Sequence, residues 1–264
     1  MSSRKGYSDG PEGQIHWRMS EGKGNAPDLY CFSPAPFSSI AYATVLSFLA
    51  QGRRAIAPDY PGQGGSEGGG PTPSIEQYAD SMCALIEAQS GTTDITLTGF
   101  HSGCLVAVEV ALRLSDRVAG LALVDVPAFD PETRAKYLPQ VGAPFEPDTD
   151  LQSQAKAWDR AVTSRTETQP LARSLEMFAD QVAAGDRQNA TFHAAFTYNV
   201  EACFARLSAP TAIIATQSML LEPSRRAARL IAGARLVERL DIKRSVLDEH
   251  AEQTAQAILA ALDD

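Results

Sequence analysis

The sequence predicts an α/β protein in which a doubly wound, mostly parallel sheet carries an inserted segment of helices. Three observations predict this fold class. Residues 95–114 form an apolar strand pattern, a turn between two glycines and an apolar helix pattern. Further strand and helix patterns alternate before and after this stretch, which indicates parallel strands joined by helical crossovers. In residues 128–207 the alternation stops, and helical patterns with five prolines replace it.

The individual elements follow from apolar periodicity. Strands are rich in β-branched and apolar residues, whereas surface helices repeat apolar residues every three to four positions. Strands are predicted at residues 13–19, 28–32, 53–57, 118–126, 211–215 and 234–240. Helices are predicted at residues 40–50, 74–89, 223–232 and 250–262. The strand at 118–126 is apolar on both faces, as a parallel sheet covered by helices on each side requires.

Two local patterns refine this prediction in the first half of the chain. Ser74 and Gln77 have the spacing of a capping box, which places the start of a helix at Ser74. The loop 59–73 contains six glycines, but neither a G-K-[ST] motif nor a helix follows it directly. We therefore expect these glycines to form a turn or a flexible rim rather than a phosphate site.

The prolines and polar stretches of residues 128–207 predict a division of the chain. Residues 1–127 and 208–264 would form the core, and residues 128–207 a helical cap with helices at 152–163 and 171–184. Aromatic and histidine residues of the cap include those at positions 137, 158, 178, 192, 193, 196, 198 and 204. Most of these side chains are expected to pack the cap onto the sheet, and two or three to line an apolar substrate pocket.

Composition restricts the class of function. The chain of 264 residues has a formal net charge of −9, which argues against nucleic acids and anionic membranes as partners. The first residues lack the apolar region of a signal peptide, and no apolar run has the length of a membrane span. The four cysteines and four histidines are scattered, so we expect reduced thiols, a cytoplasmic location, and neither a metal site nor a cofactor.

The turn at residues 99–103 carries the strongest chemical signal. Its sequence, Gly-Phe-His-Ser-Gly, lies between a strand and a helix, which is the arrangement of a nucleophile elbow. The glycines are expected because the central residue adopts unusual backbone angles and its neighbours pack closely against the strand and the helix. The central residue of such a turn projects above the sheet, and here it is His101.

Four other segments complete a set of landmarks in a fixed order. They are the hairpin segment 13–18, the strand end at 29–34, a D-x-P-G-x-G-x-S motif at 59–66 and the late strand 210–215. With the elbow, they make the chain resemble the α/β-hydrolase superfamily over nearly its whole length. This resemblance implies an α/β-hydrolase fold with a helical cap, and an enzyme that acts on a small molecule.

The three residues that perform hydrolysis in that superfamily are replaced here. His101 stands at the nucleophile position. The acid would follow Ala215, but residues 216–219 contain no carboxylate, and the histidine would follow the strand near 242, where Lys243 and Arg244 stand. The resemblance therefore implies the fold without the usual serine, histidine and acid triad.

The interpretation we favour makes His101 a general base. An imidazole with an ordinary pKa of about 6.5 exchanges protons near neutral pH, and the positive end of the helix beginning at Ser102 would favour its neutral form. The predicted function is hydrolysis or lyase-like chemistry on a small, largely apolar carbonyl or ester compound. A silenced relative that binds a small molecule or a protein is the alternative, and a serine hydrolase that uses Ser102 is a third. The sequence leaves a homodimer open.

Other site residues are assigned from their positions. Asp125, at the end of the neighbouring strand, could orient His101 or only cap the following loop. In the superfamily, an oxyanion-binding loop follows the strand that ends near Ser33, so Ser33 and the amide of Ala35 are candidates for that role, together with the amide of Ser102. Phe100 and His193 are assigned to the pocket.

Overall fold

The computed structural model describes residues 3–149 and 151–263. Its strands form one eight-stranded sheet in the order β1-β2-β4-β3-β5-β6-β7-β8. The strands are β1 (Arg4–Gly10), β2 (Gly13–Glu21), β3 (Asp28–Phe32), β4 (Arg54–Pro58), β5 (Ile95–Phe100), β6 (Val118–Val124), β7 (Thr211–Thr216) and β8 (Arg235–Arg239). The pairs β1–β2 and β2–β4 are antiparallel, and all the others are parallel. The mostly parallel sheet is therefore as predicted.

Helices connect the strands and cover both faces of the sheet. They are α1 (Leu46–Leu49), α2 (Ile75–Ser90), α3 (Gly103–Arg113), α4 (Pro131–Val141), α5 (Gln152–Ala161), α6 (Leu171–Ala183), α7 (Ala190–Thr197), α8 (Val200–Phe204), α9 (Leu221–Leu230) and α10 (Ala251–Asp263). Short 3-10 turns occur at Ser39–Tyr42, Thr163–Arg165 and Gly185–Arg187. Within the described residues, none of these helices combines the length and the apolar character that crossing a membrane requires.

The core consists of two apolar layers, one on each face of the sheet. On one face, α2 and α3 pack against the sheet around buried aromatic side chains, among them Tyr30, Tyr60 and Tyr78. The rings of Tyr60 and Tyr78 stack with their centroids 4.7 Å apart. On the other face, α1 and α10 bury Leu46 and Ile258. This arrangement explains why the central strands are apolar on both sides.

Two elements differ from the sequence prediction. Strand β1 was not predicted, because its residues are mostly exposed and polar, and it forms by pairing with β2. The prediction of one continuous helix at 40–50 is wrong, because a 3-10 turn at Ser39–Tyr42 and the short helix α1 replace it. The hydroxyl of Tyr42 donates to the Phe32 carbonyl (3.2 Å). Tertiary contacts of this kind override helix propensity in the segment.

The loop 59–73 is held by the buried carboxylate of Asp59. This carboxylate accepts hydrogen bonds from the amides of Ser39 and Gly65, both at 2.8 Å, and lies 2.8 Å from Nδ1 of His16. Gly64 has a φ of +53° and packs directly on the carboxylate, so a Cβ at this position would overlap Asp59. Four glycines of this loop, at positions 62, 64, 68 and 69, have a positive φ and thus serve its turns.

Helix α2 begins with the predicted capping box. The Ser74 hydroxyl accepts from the Gln77 amide (3.2 Å), and the Gln77 side chain accepts from the Ser74 amide (2.8 Å). We expect Ser74→Ala to lower the free energy of unfolding by about 1 kcal/mol, because a helix amide loses its acceptor. Ser74→Asp is the control, since its carboxylate can accept the same hydrogen bond. Urea unfolding measures both, and equal losses in the two variants would contradict the capping role.

Helices α4 to α8 lie between β6 and β7. They follow the carboxyl end of β6, and residues of α4 and α7 face the elbow across a cavity. The division into a core of residues 1–127 and 208–264 and a cap of residues 128–207 stays a prediction.

Candidate active site

The site is built on the turn between β5 and α3. β5 ends at Phe100 and α3 begins at Gly103, so two residues make the turn. His101 has a φ of +51°, in the left-handed region that side chains other than glycine adopt infrequently. Its amide donates to the Val124 carbonyl (3.1 Å), and its carbonyl accepts from the Cys104 amide (2.9 Å). Neighbouring backbone therefore fixes the conformation of His101 from both sides.

Close packing at both ends of the turn explains its two glycines. A Cβ on Gly99 would overlap the backbone of Gly103 and Cys104. A Cβ on Gly103 would overlap the carbonyl groups of Phe32 and Ser33 in the neighbouring strand. Backbone atoms cannot move aside as the end of a flexible side chain can, so only glycine fits at either position.

His101 borders two cavities. The first, of about 830 Å³, is lined by Phe129, Tyr137, Phe192 and Phe196, and we call it the aromatic cavity. The second, of about 720 Å³, is lined by Arg165, Lys243 and Arg244, and we call it the basic cavity. Ala35 and Ser102 face the aromatic cavity, whereas Phe100 and Asp125 face the basic cavity. The imidazole is half-buried between them.

The surroundings of His101 keep its imidazole neutral. Burial is the main cause that lowers the pKa of His101 to about 4, and the positive charge of Arg165 acts in the same direction. The carboxylate of Asp125 opposes both effects. A neutral imidazole was the expectation from sequence, but the helix dipole invoked for it is not the main cause. At neutral pH the ring can accept a proton.

Asp125 is fixed by a residue that the sequence analysis did not select. It follows β6, has a φ of +51° and is fully buried. One carboxylate oxygen accepts from the Thr216 amide (2.8 Å) and the other from the Thr216 hydroxyl (2.6 Å). Among the described residues, no hydrogen bond joins Asp125 to His101. The structure therefore brings the two residues to the same cavity, where Asp125 acts on the imidazole through its charge.

The amide assigned to oxyanion binding already has a partner. The Ala35 amide donates to the Ser102 hydroxyl oxygen (2.7 Å), so Ser102 occupies this donor. Within the described residues, Ser102 has no hydrogen bond to His101, and the structure does not place a base beside its hydroxyl. The amides of Ser102 and Gly103 precede or open α3, where amides have no intrahelical acceptor.

The structure places three predicted site residues, Ser33, Phe100 and His193, in different surroundings. The Ser33 side chain is fully buried outside the three described cavities, and its hydroxyl has no hydrogen-bond partner among the described residues. Phe100 lies against the imidazole of His101, with ring centroids 4.0 Å apart. Nδ1 of His193 lies 3.0 Å from the Gly142 carbonyl, and the residue lines none of the described cavities. The structure thus brings only Phe100 of these three to the site.

Three residues at the site were missed by the sequence analysis. Thr216 was noted only because it is not a carboxylate, yet it holds the carboxylate of Asp125. Arg165 lies in the 3-10 turn Thr163–Arg165 of the inserted segment, far from the elbow in sequence. Arg244 was noted only as a replacement for a histidine. No local pattern links any of the three to His101, so their positions follow from the tertiary fold alone.

A family comparison supports the assignment of the fold. The model of a family described as "Alpha/beta hydrolase family" matches residues 28–257, which is most of the chain. The chain belongs to the alpha/beta hydrolase family. Both the resemblance and the fold class predicted from sequence are thereby confirmed for this alpha/beta hydrolase. No curated protein matches it.

Solved structures show the same fold in this alpha/beta hydrolase. An enol-lactonase from Burkholderia xenovorans LB400 superposes with a TM-score of 0.79 and 22% identity, over 98% of this chain and 100% of the other. A hydrolase from Pseudomonas aeruginosa PA01 gives 0.77 and 19%, over 99% of both chains. A thermophilic esterase from Thermogutta terrifontis gives 0.76 and 22%, over 98% of both. At these identities the likeness establishes the fold alone.

No group of three or more His, Cys, Asp or Glu side chains comes together with metal-binding geometry in residues 3–149 and 151–263. The carboxylate of Asp59 and the ring of His16 form a pair without a third ligand of these types.

Proposed function

We propose that this alpha/beta hydrolase hydrolyses a small ester or lactone with His101 as general base and without a Ser-His-Asp triad. One observation carries the proposal: the imidazole of His101 lies at the tip of the elbow and borders both cavities. The enol-lactonase and the esterase of the same fold support ester and lactone chemistry as the first to test. Such a substrate needs neither a metal nor an organic cofactor when a base activates water.

The proposed reaction proceeds in two steps. His101 takes a proton from a water molecule while the water oxygen bonds to the carbonyl carbon, whose π electrons move to the carbonyl oxygen. That oxygen, now negative, is stabilised by the amides of Ser102 and Gly103 at the start of α3. When the carbonyl re-forms, the bond to the leaving oxygen breaks and His101 returns the proton to it. The products are a carboxylic acid and an alcohol or enol, and His101 is regenerated.

The aromatic cavity suits the apolar part of the substrate. The rings of Phe129 and Phe196 stack with centroids 5.6 Å apart, and Tyr137 and Phe192 line the same space. An imidazole at the cavity wall could equally take a proton from carbon, which would give lyase-like chemistry. The two reactions differ in whether oxygen from water enters the product, so product analysis in ¹⁸O-labelled water separates them.

Replacing His101 tests the proposal directly. We expect His101→Gln to lower kcat on any ester or lactone that wild type hydrolyses by roughly 100-fold or more, because general-base catalysis contributes about that much. The assay compares aryl esters and lactones by product release. His193→Gln is the control, since His193 lies outside the described cavities. Full turnover by His101→Gln would refute the proposal.

A second candidate, a non-catalytic binding module, is favoured by a specific observation. The carboxylate of Asp125 is engaged by Thr216 on both oxygens, and the Ala35 amide is engaged by Ser102. An absence of turnover across the panel, with ligand-induced thermal stabilisation, would favour this candidate. A serine hydrolase that uses Ser102 is the third, and it requires that turnover survives in His101→Gln and is lost in Ser102→Ala.

A further inference from the structure

The basic cavity concentrates positive charge beside the elbow. Arg165 comes from the 3-10 turn of the inserted segment, while Lys243 and Arg244 come from the loop after β8. These three side chains, with His101, face one cavity of about 720 Å³ in a protein whose net charge is −9. An acidic protein as a whole does not attract anions, so positive potential here must arise from the local cluster.

Among the described residues, no protein group is paired with the positive side chains of this cavity. Within the described part of the chain, neither a hydrogen bond nor an ion pair engages the side-chain nitrogens of Arg165, Lys243 or Arg244. By contrast, Arg173 of α6 is paired with Asp248, with Nε 2.8 Å from Oδ1. Most exposed arginines lack a stable partner without consequence, but Arg165 is half-buried. A half-buried guanidinium loses part of its hydration, and a bound anion would replace the lost interactions.

The two carboxylates at the cavity are already engaged. Asp248 accepts from Arg173 and, at 2.7 Å, from the hydroxyl of Thr44. Asp125 accepts from the amide and the hydroxyl of Thr216. Within the described residues, neither carboxylate forms an ion pair with the guanidinium of Arg165, although the charge of Asp248 acts on it.

Burial makes the charged form of Arg165 less stable, and the like charge of Arg244 adds to this effect. Burial is the main cause that lowers the pKa of Arg165; the negative charge of Asp248 raises it, and the positive charge of Arg244 lowers it by a smaller amount. Both lowering effects mean that the charged form of Arg165 is less stable here than in water. A negative group bound between the two guanidiniums would reverse the Arg244 effect and replace the lost hydration of Arg165.

We propose that the basic cavity is a subsite that binds a carboxylate between Arg165 and Arg244, with Lys243 adding positive charge at its rim. A guanidinium presents parallel N–H donors that match the two oxygens of a carboxylate. Combined with the proposed function, on which this assignment rests, the substrate is an ester or lactone that carries a free carboxylate. Its reacting carbonyl would lie at His101, with the carboxylate on one side and the apolar part in the aromatic cavity.

Such a subsite also affects the base. Arg165 lowers the pKa of His101, so a carboxylate that neutralises Arg165 makes the imidazole a stronger base. The other charged groups facing the same cavity are Asp125, Lys243, Arg244 and Asp248. These four groups keep their charges when the carboxylate binds. A substrate with a carboxylate would therefore strengthen the base that acts on it, which a neutral ester of the same shape could not do.

Binding of simple aryl acids tests the subsite without any turnover. Calorimetry compares benzoate with benzamide, its neutral analogue, on wild type and on Arg165→Gln. We expect benzoate to bind wild type in the millimolar range or tighter, benzamide to bind more weakly, and Arg165→Gln to lose roughly tenfold or more in benzoate affinity. Arg206→Gln is the matched control, because Arg206 is exposed and lines none of the described cavities.

The outcomes separate this proposal from the proposed function. Equal binding of benzoate and benzamide, no binding of benzoate by wild type, or unchanged benzoate affinity in Arg165→Gln would overturn the subsite, even if His101 proved catalytic. Displacement of benzoate by inorganic phosphate at equal concentration would overturn the choice of a carboxylate. Benzoate binding that depends on Arg165, in a protein without esterase activity, would retain the subsite and refute only the hydrolase.

Two further measurements distinguish the loss of a direct contact with benzoate from a structural change caused by replacing Arg165. Arg244→Gln changes an exposed residue on the same cavity, so it should keep the melting temperature of wild type and still weaken benzoate binding. In ¹H–¹³C spectra, benzoate should raise the pKa of His101 in wild type and leave it unchanged in Arg165→Gln. His101→Gln identifies the resonance among the four histidines. Loss of affinity without this difference in titration would contradict the proposed position beside His101.

Discussion

Replacing Gly103 with alanine is expected to lower the free energy of unfolding by about 3 kcal/mol or more. The added Cβ would overlap the Phe32 and Ser33 carbonyls at the end of β3, so strand and helix would have to separate. Forcing extra volume into close-packed backbone typically costs 1–3 kcal/mol, and more where no side chain can yield. Because α3 would shift away from β3, the Ala35–Ser102 contact is expected to break as well.

Gly70→Ala is the matched control for this change. Gly70 lies in the loop 59–73, has no atom within 4 Å of the added Cβ and does not have a positive φ. We therefore expect Gly70→Ala to leave stability within about 0.5 kcal/mol of wild type. Chemical unfolding followed by circular dichroism measures both variants. Equal stability of Gly103→Ala and Gly70→Ala would show that the elbow does not need the close contact seen here.

The elbow shows what a sequence can reveal about a site of this kind. The spacing of Gly99, His101 and Gly103 between an apolar strand and an apolar helix is local information, and the structure has the expected positive φ at His101. The capping box at Ser74 is predictable for the same reason, since both partners lie within one helical turn. Buried parallel strands are likewise recognisable from their continuous apolar composition.

The features that were not predicted depend on contacts between distant segments. β1 is polar and exposed, so its pairing with β2 leaves no periodic signal. Thr216 meets Asp125 only because β6 and β7 are neighbours in the sheet, across 91 residues of chain. Arg165 approaches His101 from the inserted segment, whose packing on the core has no equivalent in local sequence.

Contacts between distant segments also explain why Ser33, assigned to oxyanion binding, and His193, assigned to the pocket, line none of the described cavities. Ser33 was assigned by its place after a strand, but the side chain is buried and its carbonyl instead accepts from the Tyr60 hydroxyl (3.0 Å). His193 was assigned as one of several candidates in the cap, and it binds the Gly142 carbonyl of the same segment. Position along a strand or within a segment does not define the direction of a side chain.

The stability of the protein should depend on pH through His101. In the unfolded chain its pKa is about 6.5, whereas in the folded protein burial lowers it to about 4. Between these values the unfolded state binds a proton that the folded state does not, so acidification favours unfolding. The contribution of His101 is constant above pH 6.5, and stability is lost as the pH falls from 6.5 towards 4. The expected slope approaches about 1 kcal/mol for each pH unit.

Comparison with His101→Gln isolates this contribution from that of the carboxylates, which titrate in the same range. Urea unfolding of both proteins at several pH values between 7 and 4.5 gives two curves of free energy against pH. We expect the wild-type curve to fall more steeply below pH 6.5, because glutamine does not titrate and leaves only the shared carboxylate effects. Parallel curves would mean that His101 binds its proton equally well in the folded and unfolded states. The imidazole would then be solvated, which is incompatible with a base shielded between the aromatic and basic cavities.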